Sequence, residues 1–118
     1  MNNVFEITLL LDFYGQLLTD RQYEILDLHY NNDYSLGEIA EQLNISRQGV
    51  YDNVKRGKAQ LNEMEEKLGL VKKFAEHKTR AEEVLKLVKS INPDNLSNED
   101  KQCLNKVEEG INDIINKF

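Results

Sequence analysis

The stretch that most constrains this chain is Ser35 to Leu61, SLGEIAEQLNISRQGVYDNVKRGKAQL. It reads as two helices joined by a tight turn. Ser35 is a helix N-cap, and Glu38 three residues later completes a capping box. Leu36, Ile39, Ala40 and Leu43 fall on one helical face. Asn44 suits the left-handed conformation that stops a helix, and Ile45 supplies an apolar anchor in the turn. Ser46 caps the second helix, whose inward face is Val50, Val54 and Leu61 with Gly57 between them. Two amphipathic helices linked this closely make a helix-turn-helix, a motif whose second helix can enter a DNA major groove.

The flanking pattern is helical as well. One Pro and six Gly in 118 residues are few breakers, and 40% hydrophobic with 31% charged residues suits a helical chain with a real core. Val4, Ile7, Leu11, Tyr14 and Leu18 recur three and four apart, widened by Leu10, Phe13 and Leu17, which predicts a helix over about residues 4–17. Thr19 caps a second helix with Gln22 at the capping-box position, and Tyr23, Leu26 and Tyr30 are its expected core face, flanked by Ile25 and His29. The helix that starts after Ser46 keeps its period through Met64 and Leu68 to Gly69, a length of about 33 Å. Phe74, Ala81, Val84, Val88 and Ile91 mark a fifth helix, which Asn92-Pro93-Asp94 ends. Ser97 restarts a last helix. Its Leu104, Val107, Ile111, Ile114 and Phe118 form a narrow seam that fits a dimer or an intramolecular bundle equally well. The expected fold is all-α with five or six helices. It comprises a helix-turn-helix domain over residues 1–68, with the motif at 35–61, and a helical extension over 69–118 that serves as a packing or dimerisation arm.

Charge is unevenly spread. The net charge of −6 argues against indiscriminate nucleic-acid binding. Residues 1–45 hold eight acidic side chains against Arg21 alone, whereas residues 46–62 hold Arg47, Lys55, Arg56 and Lys58 against Asp52 alone. The concentrated positive field thus lies on the second motif helix, where a polyanion needs it. Arg47, Gln48, Tyr51, Asp52, Asn53, Lys55, Arg56 and Lys58 are the candidate binding residues. Arg bonds guanine bidentately and Gln or Asn bonds adenine, while Lys55, Arg56 and Lys58 are better placed for phosphates. Tyr51 faces away from Val50 and Val54, as a stacking residue would. Asp52 opposes groove insertion. Gly49 reads either as a close helix approach or as room for a ligand backbone. These residues leave DNA, RNA and an acidic protein surface open as ligands.

No phosphate loop, paired metal-ligand spacing or nucleophile motif occurs, so neither catalytic residues, nor a metal, nor a cofactor are expected. His29 and His77 read as half-buried core histidines, and Cys103 as a small buried hydrophobe. Glu6 and Asp12 interrupt the apolar residues of 1–18, and no apolar run is long enough to span a bilayer, so neither a signal peptide nor membrane insertion is expected. A single Cys excludes an internal disulfide and fits the cytoplasm.

Ser35 to Leu61 resembles the promoter-reading region-four helix-turn-helix of bacterial sigma factors. More closely, Leu18-Thr19-Asp20, Asp33-Tyr34-Ser35-Leu36, Glu38-Ile39-Ala40-Glu41 and above all Ser46-Arg47-Gln48 with Val50-Tyr51-Asp52-Asn53-Val54-Lys55-Arg56 resemble the YlxM family. These are small helix-turn-helix proteins of Gram-positive bacteria, and the close match covers about residues 10–70. Gly49 departs from the family's alanine, which lowers helix propensity slightly. The resemblance implies a cytoplasmic regulatory protein associated with the signal recognition particle pathway, without enzyme activity. It implies that Arg47, Gln48, Tyr51, Asp52, Asn53, Lys55 and Arg56 form the binding face. Two functions follow as expectations: a nucleic-acid-binding regulator, or a protein-interaction module that engages the particle's GTPase or its RNA.

Overall fold

A computed structural model describes residues 3–117. Among them are six α-helices: α1 (Val4–Tyr14), α2 (Asp20–Leu26), α3 (Leu36–Leu43), α4 (Arg47–Leu68), α5 (Leu70–Lys89) and α6 (Asn98–Asn116). The fold is all-α, as its cap signals and periodicity predict. No helix among the described residues is long and apolar enough to cross a membrane. The chain divides into two compact units, Met1–Val71 and Lys72–Phe118.

The caps set the element boundaries. Thr19 and Ser35 each close a full capping box, with Gln22 and Glu38 reaching back to the cap N–H. The Ser35 backbone N–H and hydroxyl hold the Glu38 carboxyl below its usual range. Ser46 and Ser97 cap α4 and α6 through their hydroxyls. Gly69, at φ 62°, ends α4 in the left-handed region that glycine adopts without strain.

The first unit has one core, made of Ile7, Leu10, Leu11, Tyr14, Leu18, Ile25, Leu26, Ile39, Val50, Val54 and Leu61. α4 runs through it and packs on α1, α2 and α3. Its closest approach is to α2. A Cβ on Gly57 would lie 2.6 Å from Leu26 Cδ1, so the backbone of α4 sits directly on that side chain. At the far end, the buried Tyr14 hydroxyl donates to Glu65 Oε1 (2.6 Å) and accepts the Leu70 N–H (3.1 Å). Glu65 Oε1 also accepts the Val71 N–H (3.1 Å). One buried phenol thereby joins α1 to the α4–α5 junction.

Several residues stand elsewhere than their spacing suggests. α2 continues as a π-helical turn over Asp27–Asn31, and this wider turn breaks the 3.6 period. Ile25 and Leu26 are the buried pair, Tyr23 on the preceding regular turn is 41% exposed, and Tyr30, inside the wide turn, is half-buried. His29 is half-buried, as expected, and its Nδ1 lies 2.7 Å from the Tyr34 carbonyl oxygen, so Nδ1 carries the proton and donates. Val4 and Leu17 are exposed at the ends of their stripe. His77 is exposed, since it lies on the outer side of α5. α5 begins at Leu70, because Gly69 alone makes the break.

In the second unit Leu104 and Ile111 are half-buried together with Ile115, while Val107 and Ile114 of the expected seam are exposed. Phe118 lies outside the described residues. Cys103 is exposed, one position too early to share the inward stripe.

Two outcomes follow. Gly57→Val drives two methyl groups into the Leu26 side chain, and overpacking of this kind costs about 1–3 kcal/mol, read as a lower urea midpoint at unchanged slope. Burial, then the hydrogen bond to Glu65, raises the Tyr14 pKa above its ordinary value. Its contribution is whole below pH of about 10 and is lost as pH rises through the folded-state value. The wild-type midpoint therefore falls in strong alkali, and Tyr14→Phe, already weaker by about 1–2 kcal/mol at neutral pH, shows a smaller fall.

Candidate nucleic-acid interface

The turn between α3 and α4 fixes the angle at which α4 leaves the core. Asn44 stands at φ 57°, ψ 46°. The Ile45 N–H returns to the Ala40 carbonyl (3.1 Å) and the Asn44 N–H to that of Glu41 (3.4 Å), the paired bonds of a Schellman closure. Ile45 packs against the core, so the turn is anchored from below. Ser46 then caps α4 by accepting the Gly49 N–H (2.9 Å).

With Val50, Val54, Gly57 and Leu61 turned inward, the opposite side of α4 faces solvent. Arg47, Gln48, Tyr51, Asp52, Lys55 and Arg56 are exposed there, and Tyr51 keeps 48% of its surface. Asn53 and Lys58 are half-buried at its edge. The eight candidates thus lie on or beside one solvent-facing strip.

Their hydrogen bonds differ. Gln48 Nε2 donates to Asp52 Oδ1 at 3.1 Å. Asn53 Nδ2 donates to the Gly49 carbonyl at 2.8 Å, so its amide serves its own helix. Gln48 still has its second N–H and its Oε1 with which to meet a base, and Asp52 limits how the amide can turn toward one. The Arg47 guanidinium lies beside Gly37, with its Cζ 3.9 Å from where a Cβ would stand. That is an ordinary van der Waals distance, so Arg47 rests against the start of α3 at a place that sequence spacing does not reveal. A Cβ on Gly49 would meet only Ser46 Oγ, at 3.0 Å, so no second helix approaches it.

Electrostatics set α4 apart. Among the helices with a side-chain N-cap, α1, α2, α3 and α6 carry acids in the first turn, and α4 carries none. It opens on Arg47 instead. A cation there opposes the helix dipole and costs about 0.3–1 kcal/mol. A shallow hollow of about 190 Å³ between Tyr51, Val54, Lys55 and Lys58 lies on the same strip. A larger one of about 480 Å³, lined by Leu11, Asp12, Gly15, Gln16, Leu18, Asp20 and Tyr23, is acidic and belongs to α1 and α2.

Residues 1–107 match the family model of UPF0122, described as "Putative helix-turn-helix protein, YlxM / p13 like". The chain belongs to this family. UPF0122 proteins similar to it include one from Acetivibrio thermocellus, 66% identical over 115 residues and 98% of both chains. One from Desulforamulus reducens is 49% identical over 88 residues, 75% of each chain. One from Clostridium perfringens strain 13 is 42% identical over 116 residues, covering 98% of this chain and 99% of its own. The helix-turn-helix expected from Ser35–Leu61 is therefore the family's own description, and similarity to the first and third extends through the carboxy-terminal helices.

The turn yields a direct test. Asn44→Gly keeps the left-handed conformation and leaves stability within a few tenths of a kcal/mol, while Asn44→Val, β-branched at positive φ, loses about 1–2 kcal/mol in urea unfolding.

Proposed function

We propose that this protein is a cytoplasmic regulator that binds nucleic acid through the exposed strip of α4. The observation that carries the reading is the cation at the start of that helix. Arg47 weakens α4 where the other side-chain-capped helices are strengthened by acids, so helix stability does not account for it. A polyanion does, because the free N–H groups and positive dipole end favour negative charge at the same place. Lys55 and Arg56 follow along the strip at phosphate-contact positions, and Tyr51 offers a face for stacking. Two copies joined through their carboxy-terminal helices would present two such strips, as a reader of paired half-sites does.

A second reading has its own support. In a helix-turn-helix bound to DNA, the first helix crosses the phosphate backbone. Here that helix is α3, which exposes Glu38 and Glu41 and carries no basic residue. Such a surface suits a protein partner, or a structured RNA touched by α4 alone. The components of the signal recognition particle, its GTPase and its RNA, are the partners that the YlxM resemblance implies.

Fluorescence anisotropy decides between them. Duplex DNA, the particle's RNA, and the GTPase with and without that RNA are each titrated with the full chain. Under the first reading duplex affinity falls steeply with salt, and Arg47→Ala with Arg56→Ala lowers the salt slope by about 2 and the affinity by at least about tenfold. Asp52→Asn tightens binding. Duplex binding that ignores these substitutions ends this reading; binding to the GTPase or RNA alone establishes the second.

A further inference from the structure

We propose that the hollow between α1 and α2 is a docking site for an arginine side chain of a basic protein segment. The inference goes beyond the nucleic-acid reading and uses a surface to which α4 contributes no residue.

Gly15 sets the position of the hollow's aromatic wall. A Cβ built on it would stand 2.7 Å from Tyr23 Cε1 and 2.8 Å from Cδ1, so one edge of the Tyr23 ring rests on bare backbone at the end of α1. Tyr23 is nonetheless 41% exposed, and among the described residues no other ring pairs with it. The space it borders measures about 480 Å³, within the roughly 300–1,000 Å³ of ordinary ligand pockets. Leu11 and Leu18 supply apolar wall, and Asp12 and Asp20 supply charge.

The two carboxylates differ in what explains them. Asp20 opens α2, where the helix dipole favours an acid. Asp12 stands in the last turn of α1, where the dipole disfavours one, and no base shares that turn. Neither carboxylate is in an ion pair among the described residues. Arg21, the nearest base in sequence, is turned to Glu24 at 3.9 Å. Helix stability therefore does not account for Asp12. An incoming cation does, since both acids and the carbonyl end of α1 attract it to the same place.

The lining selects the occupant. Two carboxylates repel phosphate. Among the described residues no third acid, histidine or cysteine joins them, which leaves too few ligands for a metal ion. A guanidinium fits both parts of the wall, because its planar fork bonds carboxylates and its face stacks on a tyrosine ring. A lysine ammonium offers a point charge without that plane. Leu17, next in the chain to the lining, is 64% exposed. A segment with an apolar residue beside its arginine covers that surface, and a free polyamine does not.

Amide spectra of the isotope-labelled full chain, without nucleic acid and at physiological salt, test this with the capped peptide Leu-Arg-Arg-Leu. Saturable shifts are expected at Gly15, Gln16, Asp20 and Tyr23. Lysine in place of both arginines weakens binding at least about threefold, and citrulline abolishes it. Asp12→Asn with Asp20→Asn weakens it at least about tenfold. Glu41→Gln with Glu66→Gln removes the same charge outside the hollow and leaves binding within about twofold. Asp12→Asn alone, at an exposed position, weakens binding about threefold and decides the matter if the double variant unfolds. Absence of shifts, equal binding of the lysine peptide or of spermidine, or an equal loss in the Glu41 and Glu66 variant overturns the proposal. So does a wild-type sedimentation mass above one chain that Asp12→Asn returns to 13.7 kDa, since a second copy then fills the hollow. Because binding is read without nucleic acid, failure of this site is distinct from failure of the face on α4.

Discussion

The contact between Leu26 and the bare backbone at Gly57 governs the first unit. A helix that presents a chosen strip to solvent must be fixed in rotation as well as position. Gly57 admits the fully buried Leu26 to the backbone of α4 at a distance no side chain would allow. Val50, Val54 and Leu61 enter the core on either side of that point. Once those four positions face inward, helical geometry alone turns Gln48, Tyr51, Asp52, Lys55 and Arg56 outward. The Tyr14–Glu65 bond holds the same helix near its other end. α4 is thus located by two tertiary contacts, and its exposed strip is a consequence of them.

Most of this was legible in the residues because its signals are local. A Ser or Thr followed three residues later by Glu or Gln declares a capping box from four residues, and Thr19 and Ser35 both form one. Asn44 and Gly69 both take the left-handed conformation their residue types favour. What escaped depends on distances between elements. The π turn at Asp27–Asn31 carries Tyr30 off the regular face of α2, and a search at 3.6 residues per turn cannot see an inserted residue. The alternation of Val107 and Ile114 with Leu104 and Ile111 looked like one seam but spans two faces of α6. On the exposed strip of α4, residue type and exposure were readable. The engagement of Gln48 by Asp52 and of Asn53 by Gly49, and the approach of Arg47 to Gly37, were not, because each requires knowing which atoms meet.

An acidic body behind a cationic strip is not a contradiction for a nucleic-acid reader. At physiological ionic strength charges separated by more than about 8 Å are largely screened. A phosphate touching Arg47 or Arg56 therefore feels those cations and the α4 N-terminus more than the distant carboxylates of α1 and α2. What the net charge of −6 removes is long-range attraction, which is the part that holds proteins to arbitrary sequence. Asp52 acts in the same direction at short range, since it penalises any backbone not positioned to avoid it. Four cations opposed by one central anion yield little affinity without shape agreement. A regulator must compete against a vast excess of unrelated sites, and what counts is the ratio of matched to unmatched binding. Lowering the unmatched term raises that ratio as surely as adding a base contact does, and an anionic scaffold lowers it at every site at once.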